Sequence, residues 1–186
     1  HEVRLYEKSD HLGGQIFFAD FVSFKYPLME FKNWLISRVG QLGIKVFLNT
    51  EATPELIEAS YPDVVIACTG SRPDLPPIPG IEGSNVMLAA NAFVNRETVG
   101  KKVVVVGAGD TGCECALHLA EIGRDVTLVE MDEFIARRTG YTQRIVLVEK
   151  IETNEHISCI TRACCKRADD RGVTVETPEG ERFLEA

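Results

Sequence analysis

VVVVGAGDTGCECALHLAEIGRDVTLVE, residues 103–130, reads as strand, turn, helix and strand in that order. Val103 to Val106 are four consecutive β-branched residues, a run expected of a strand buried on both faces of a parallel sheet. Gly107-Ala108-Gly109-Asp110-Thr111-Gly112 follows at once. From Cys113 to Ile122 the apolar residues Cys113, Ala116, Leu117 and Ala120 fall on one helix face, at i, i+3, i+4 and i+7. Gly123 stands where a helix C-cap glycine belongs. Asp125 to Glu130 reads as the next strand and ends in an acid.

Each part of this string suits a dinucleotide. Gly107 permits the tight strand-to-helix turn, Gly109 lets backbone approach a pyrophosphate, and Gly112 lets the helix pack closely on the strand. The helix start presents free N–H groups and the positive end of its dipole. Glu130, 18 residues beyond Gly112, is placed to accept from the adenosine ribose hydroxyls. A 2′-phosphate there would meet like charge, so NADH is expected over NADPH. Arg137 and Arg138 read as a solvated turn or helix end.

Working outward, the acid-ended strand recurs. Glu2 to Glu7 reads EVRLYE and Asp125 to Glu130 reads DVTLVE, 123 residues apart, followed by the polar segments KSD and MDE. Self-similarity of this kind marks a repeated structural unit. Shifting Gly107 back by the same offset takes it before residue 1. The first copy is therefore expected to hold its second strand and its acid without its glycine loop, so that the chain is a piece of a longer fold.

Between the copies, Leu12-Gly13-Gly14-Gln15 forms a loop open to backbone–ligand approach. Pro27 to Gly40 is helical in pattern, with a stripe of Phe31, Trp34, Leu35 and Val39; Trp34 reads as a core or interface anchor. Lys45 to Leu48 reads as a short strand. Thr53 and Pro54 mark a helix start. Asp63 to Cys68 (DVVIAC) reads as a buried strand ending in Thr69-Gly70, and residues 72–83 (RPDLPPIPGIEG) as an extended crossover. Beyond the second copy, Ile145 to Ile151 reads as helix. Ile157 to Arg162 and Val173 to Thr177 read as strands, and Pro178-Glu179-Gly180 as a hairpin turn leading to a last strand. The expected domains are 1–82 and 83–186.

Composition limits the classes of function. The chain has 186 residues, 45% apolar and 26% charged, with a net charge of -8. That balance fits an ordinary globular protein and argues against nucleic-acid backbones and anionic membranes. No apolar run approaches the ~20 residues of a membrane helix, and the opening HEVRLYEK has no apolar leader core. The six cysteines, Cys68, Cys113, Cys115, Cys159, Cys164 and Cys165, include no CxxC pair. No metal site is expected from them; reduced cysteines in a cytoplasmic protein are. Cys113 and Cys115, two apart on a helix, are expected to point to different faces. His1, His11, His118 and His156 are scattered, and no catalytic residue is assigned.

Three separated motifs, EVRLYEKSDHLGGQ, DVVIACTGSRPDLPPIPGIEG and VVVVGAGDTGCECALHLAEIGRDVTLVE, together resemble the two-dinucleotide-binding flavin reductases. More narrowly, they resemble the carboxy-terminal part of the NADH:flavin oxidoreductases related to 2,4-dienoyl-CoA reductase. The resemblance covers essentially the whole chain. It implies an α/β, Rossmann-like fold with a split FAD-binding unit, incomplete here, and an inserted NAD-binding unit with a central parallel sheet. By position it implies that Glu7 binds the FAD ribose and that Gly13, Gly14 and Gln15 lie along the flavin nucleotide. Ala52 would present backbone to adenine, and Cys68, Thr69 and Gly70 would touch FAD through backbone. Gly107, Gly109, Asp110, Thr111, Gly112 and Glu130 would hold NADH. FMN and a 4Fe–4S cluster would belong to the remainder of such a protein, as would the electron acceptor. The alternatives are a dinucleotide-binding module without turnover and a disulfide-reductase-type flavoenzyme. An uncovered sheet edge would invite pairing with another copy.

Overall fold

The structure is a computed structural model that describes all 186 residues, His1 to Ala186. It divides into two units, His1–Asp74 and Leu75–Ala186. The division falls earlier than residue 82 because the crossover is bonded to the second unit. The Ala168 amide donates to the Pro79 carbonyl at 2.8 Å, and Asn85 Nδ2 donates to the Asp169 carbonyl at 2.9 Å. A Cβ on Gly80, whose φ is +85°, would lie 2.0 Å from the Ala168 oxygen.

In the first unit, β1 (Arg4–Tyr6) pairs in parallel with β2 (Lys45–Phe47). The connection between them is a 3-10 stretch, Gly14–Phe21, a second 3-10 turn, Ser23–Lys25, and helix α1 (Tyr26–Gln41). α2 (Pro54–Ala59) starts as its sequence predicts: the Leu56 amide donates to Thr53 Oγ1 at 3.3 Å, and Pro54 takes the first turn, where its missing N–H costs nothing.

In this unit the structure departs from two expectations: the core half of the Trp34 reading and the strand at 63–68. The stripe Phe31, Trp34 and Leu35 is exposed, Phe31 and Trp34 stacking on each other with centroids 5.9 Å apart. The residue of α1 that is buried is Lys32. Its ammonium pairs with the Asp20 carboxylate and lies 5.5 Å from the Phe17 ring centroid. Helical spacing predicts one apolar face, but a neighbour has to cover it; here the 3-10 stretch lies against the Lys32 side of the helix. The segment 63–68 is not a strand, and Val64, Val65 and Ile66 are 75%, 57% and 82% exposed. A strand exists only through ladder hydrogen bonds to a neighbour. The two-stranded β1–β2 sheet does not include this segment.

The second unit is layered. β3 (Lys102–Val106), β4 (Asp125–Val129) and β5 (Ile157–Ile160) form a parallel sheet in the order β3-β4-β5. β6 (Cys164–Asp169), β7 (Gly172–Thr177) and β8 (Gly180–Glu185) form an antiparallel meander. Val173 and Val175 of the meander pack with Val129 and Ala163 in one cluster, flanked by Val104 and Ile160 of the parallel sheet. α3 (Ala89–Val94), α4 (Asp110–Glu121) and α5 (Tyr141–Glu152) complete the unit.

β3 is only half-buried because it is an edge strand; the strand with the buried pattern is β4, in the middle. α4 exceeds its one-face prediction: every residue from Cys113 to Ala120 is buried. It touches α3, α5, β3, β4 and β5, so its whole circumference is covered. Cys113 and Cys115 are both buried. The end of α4 is a Schellman motif. Gly123, at φ +80°, donates to Ala120, and Arg124 donates to Leu119, each at 2.9 Å. No helix is long and apolar enough to cross a membrane.

Candidate functional site

The loop between β3 and α4 is built around two glycine requirements. Gly107 turns the chain at φ +96°, with its amide on the Val129 carbonyl at 2.8 Å. A Cβ on Gly112 would lie 1.9 Å from the Gly107 oxygen, so only glycine lets helix and turn approach this closely. Gly109 differs. It has ordinary backbone, φ -74°, and a Cβ there would meet nothing within 4 Å. Gly109 is the N-cap of α4 and supplies no side chain to the first-turn amides. Those N–H groups, including the ones at Asp110 and Thr111, lack intrahelical partners and form an anion-binding end.

Glu130 follows β4 and is bonded directly to this loop. Its Oε2 accepts the Ala108 amide at 2.7 Å and its Oε1 accepts the Asp132 amide at 2.8 Å. Each carboxylate oxygen keeps acceptor capacity for a further donor. The structure thus brings Gly107, Gly109, Asp110, Thr111, Gly112 and Glu130 into one site at the carboxyl ends of β3 and β4.

The segment after β4 crosses the same loop. Ala136, fully buried at φ +52°, donates to the Ala108 carbonyl at 2.7 Å. Thr139 Oγ1 hydrogen-bonds the Asp110 carboxylate. Arg137 is held by Asp132 at 3.0 Å. Sequence reading passed over Ala136, Thr139 and Asp132, since a polar segment shows no period. A signal did exist for Asp132: it stands two residues past the repeated acid, as Ser9 does.

The first unit repeats this acid geometry. Glu7 Oε1 accepts the Ser9 amide at 2.8 Å and also the Ser9 hydroxyl at 2.8 Å. These bonds, the amide first, hold the Glu7 carboxyl below the usual carboxylate range. The backbone matches bond for bond. Glu7 and Glu130 amides donate to Phe47 and Ile160, and their carbonyls accept from Thr50 and Ala163, all four at 2.9 Å. Asn49 and Arg162, at φ +51° and +52°, close the two turns. The segment carrying Ala52 is thereby anchored beside Glu7. Gly13 (φ +125°) caps the 3-10 stretch that Gly14 (φ +50°) and exposed Gln15 begin; a Cβ on Gly14 would meet nothing within 4 Å. Cys68, Thr69 and Gly70 are exposed and belong to no regular element, so the structure does not draw them into a formed site.

The cysteines beside the loop are not nucleophiles. Burial, aided by nearby Cys159, Asp110, Glu114 and Glu130, pushes the Cys113 thiol up to about 12; burial alone pushes Cys115 to about 12. Both are protonated at neutral pH. No group of His, Cys, Asp and Glu side chains is arranged to hold a metal ion.

Residues 30–186 match the family model described as pyridine nucleotide-disulphide oxidoreductase. The NADH oxidase of Thermoanaerobacter brockii is 37% identical over 191 residues, covering 100% of this chain and 29% of that protein. The bilirubin reductase of Mediterraneibacter gnavus is 34% identical over 99% of this chain and 28% of its own length. Among solved structures, 2-naphthoyl-CoA reductase in complex with 2-naphthoyl-CoA superposes with a TM-score of 0.93 at 29% identity, over 100% of this chain and 28% of that one. The chain thus spans less than a third of the length of these relatives.

Proposed function

The chain belongs to the pyridine nucleotide-disulphide oxidoreductase family, and from that premise we propose that it is the nucleotide-handling part of a longer flavin-dependent NADH oxidoreductase. The observation that carries this reading is the 2.7 Å bond from the Ala108 amide to Glu130, which makes glycine loop and acid one binding surface. Gly107, Gly109 and Gly112 give backbone access, Asp110 and Thr111 contribute N–H groups, and Glu130 accepts from the adenosine ribose. NADH bound there would supply hydride chemistry, and Glu7, Gly13, Gly14, Gln15, Ala52, Cys68, Thr69 and Gly70 would hold part of an FAD, the expected acceptor. The protein's own task is to hold and orient. The Glu130 charge disfavours a 2′-phosphate and selects NADH over NADPH.

An FMN and an iron–sulfur cluster, or an enoyl-type acceptor, would belong to the rest of the longer polypeptide. Relatives named for the reduction of cinnamate and bilirubin, and one for 2-naphthoyl-CoA, favour an acceptor with conjugated unsaturation. A cytoplasmic setting, and self-association through uncovered edges, belong to the same reading.

Titration of the 186-residue chain with NADH and NADPH, followed by nucleotide fluorescence or calorimetry, tests it. NADH binds more tightly than NADPH. Replacing Glu130→Ala weakens NADH by about 1–3 kcal/mol, the range for loss of a charge-assisted hydrogen bond, and narrows the gap to NADPH. Tighter binding of NADPH by the unsubstituted chain would overturn the role of Glu130.

A further inference from the structure

The glycine loop carries an apparent contradiction. The first residue of α4, at the end meant for phosphate, is an acid, Asp110. A carboxylate in a first helical turn is drawn to the free N–H groups and the positive dipole end there. Those are the donors a pyrophosphate needs, and the two anions also repel. With glycine as N-cap, no neighbouring side chain occupies these amides in place of Asp110.

The structure resolves the conflict from outside the helix. The Asp110 carboxylate is engaged by the hydroxyl of Thr139, 29 residues further along the chain. Thr139 is not a loose surface residue. Its amide donates to the Ala136 carbonyl at 3.1 Å, and the Ala136 amide donates to the Ala108 carbonyl at 2.7 Å. The hydroxyl that takes Asp110 thus sits on a strap fastened to the glycine loop itself.

We propose that Thr139 is a positioning residue for dinucleotide binding: it parks the Asp110 carboxylate on the segment after β4 and leaves the α4 amides open to the pyrophosphate. The inference rests on the reading of Gly107–Gly112 as the NADH loop. It assigns Thr139 no contact with the nucleotide. It also explains how an acid is tolerated at this position, since the Asp110 contribution to binding is its backbone N–H alone.

The test uses the 186-residue chain and two probes, NADH and adenosine, which lacks phosphate. Thr139→Val, close in shape but without the hydroxyl, weakens NADH about five- to tenfold and leaves adenosine affinity unchanged. Thr139→Ser keeps NADH affinity. Adding Asp110→Asn to Thr139→Val restores it, because the released side chain no longer carries charge. Asp110→Asn alone binds NADH two- to threefold more tightly, by roughly the charge repulsion it removes, and stands as an independent arm if Thr139→Val fails to fold. Equal NADH binding by Thr139→Val, a parallel loss of adenosine, or weaker NADH binding by Asp110→Asn would each overturn the proposal. If the unsubstituted chain binds no NADH, the reading of the loop falls and this inference falls with it. If it binds and Thr139→Val matches it, only this inference falls.

Discussion

Gly109 and Gly112 stand three residues apart in one motif and are glycine for different reasons. At Gly112 the constraint is internal, a Cβ 1.9 Å from the Gly107 oxygen. At Gly109 the space is empty and the backbone ordinary, so the fold itself does not require glycine there, and under the proposed reading a ligand does. Gly112→Ala therefore destabilises the fold by about 1–3 kcal/mol, as overpacking does, seen as a lower urea midpoint. Gly109→Ala keeps the midpoint and loses NADH affinity. The same division between fold and ligand holds for the thiols. Cys113 and Cys115, buried and raised to about 12, resist alkylation at neutral pH until the chain unfolds. Exposed Cys68 and Cys164 react first, and Cys159, whose thiol burial pushes up, follows them. Mass spectrometry of partly alkylated protein distinguishes the two groups.

Among the elements, α4 carries the second unit, because all of its faces are covered. Leu119→Ala, at a side chain 1% exposed, costs about 2–5 kcal/mol of stability by denaturant unfolding. Leu28→Ala on α1, at a side chain 43% exposed, changes little. This contrast shows where the sequence was legible. Strand β4, helix α4, the Gly123 cap and the Thr53 cap follow from local chemistry and were readable. So was the repeat: the two short acid-ended strands are where the backbone hydrogen bonds at Glu7 and Glu130 match. What could not be read depends on neighbours. The period of α1 gave its apolar stripe but not what lies beside it. The apolar run at residues 63–68 reads as strand, but ladder bonds need a partner. β6, read as CCKRAD, has weak strand propensity and is a strand because β7 pairs with it. Ala136 and Thr139 join the candidate site through contacts 28 and 29 residues distant in sequence, which no local pattern encodes.

Across the whole molecule, the two units each carry one acid-ended strand, and the segment joining them is extended and lacks regular structure. Leu75, 54% exposed, sits at the division. A protease of broad specificity cuts early within the exposed, irregular residues 63–75 and releases fragments close to the two units, readable by mass spectrometry. The crossover also decides how relatives of this chain can be recombined. Pro79, Gly80 and Asn85 are fastened to β6, so they travel with the second unit although they precede its first strand by some twenty residues. A chimera spliced at Asp74–Leu75 inherits each unit with its own bonds. One spliced just before β3, where the glycine motif begins, would join a foreign crossover to this β6 and lose the Pro79 and Asn85 bonds to it, making that boundary the poorer place to exchange cassettes.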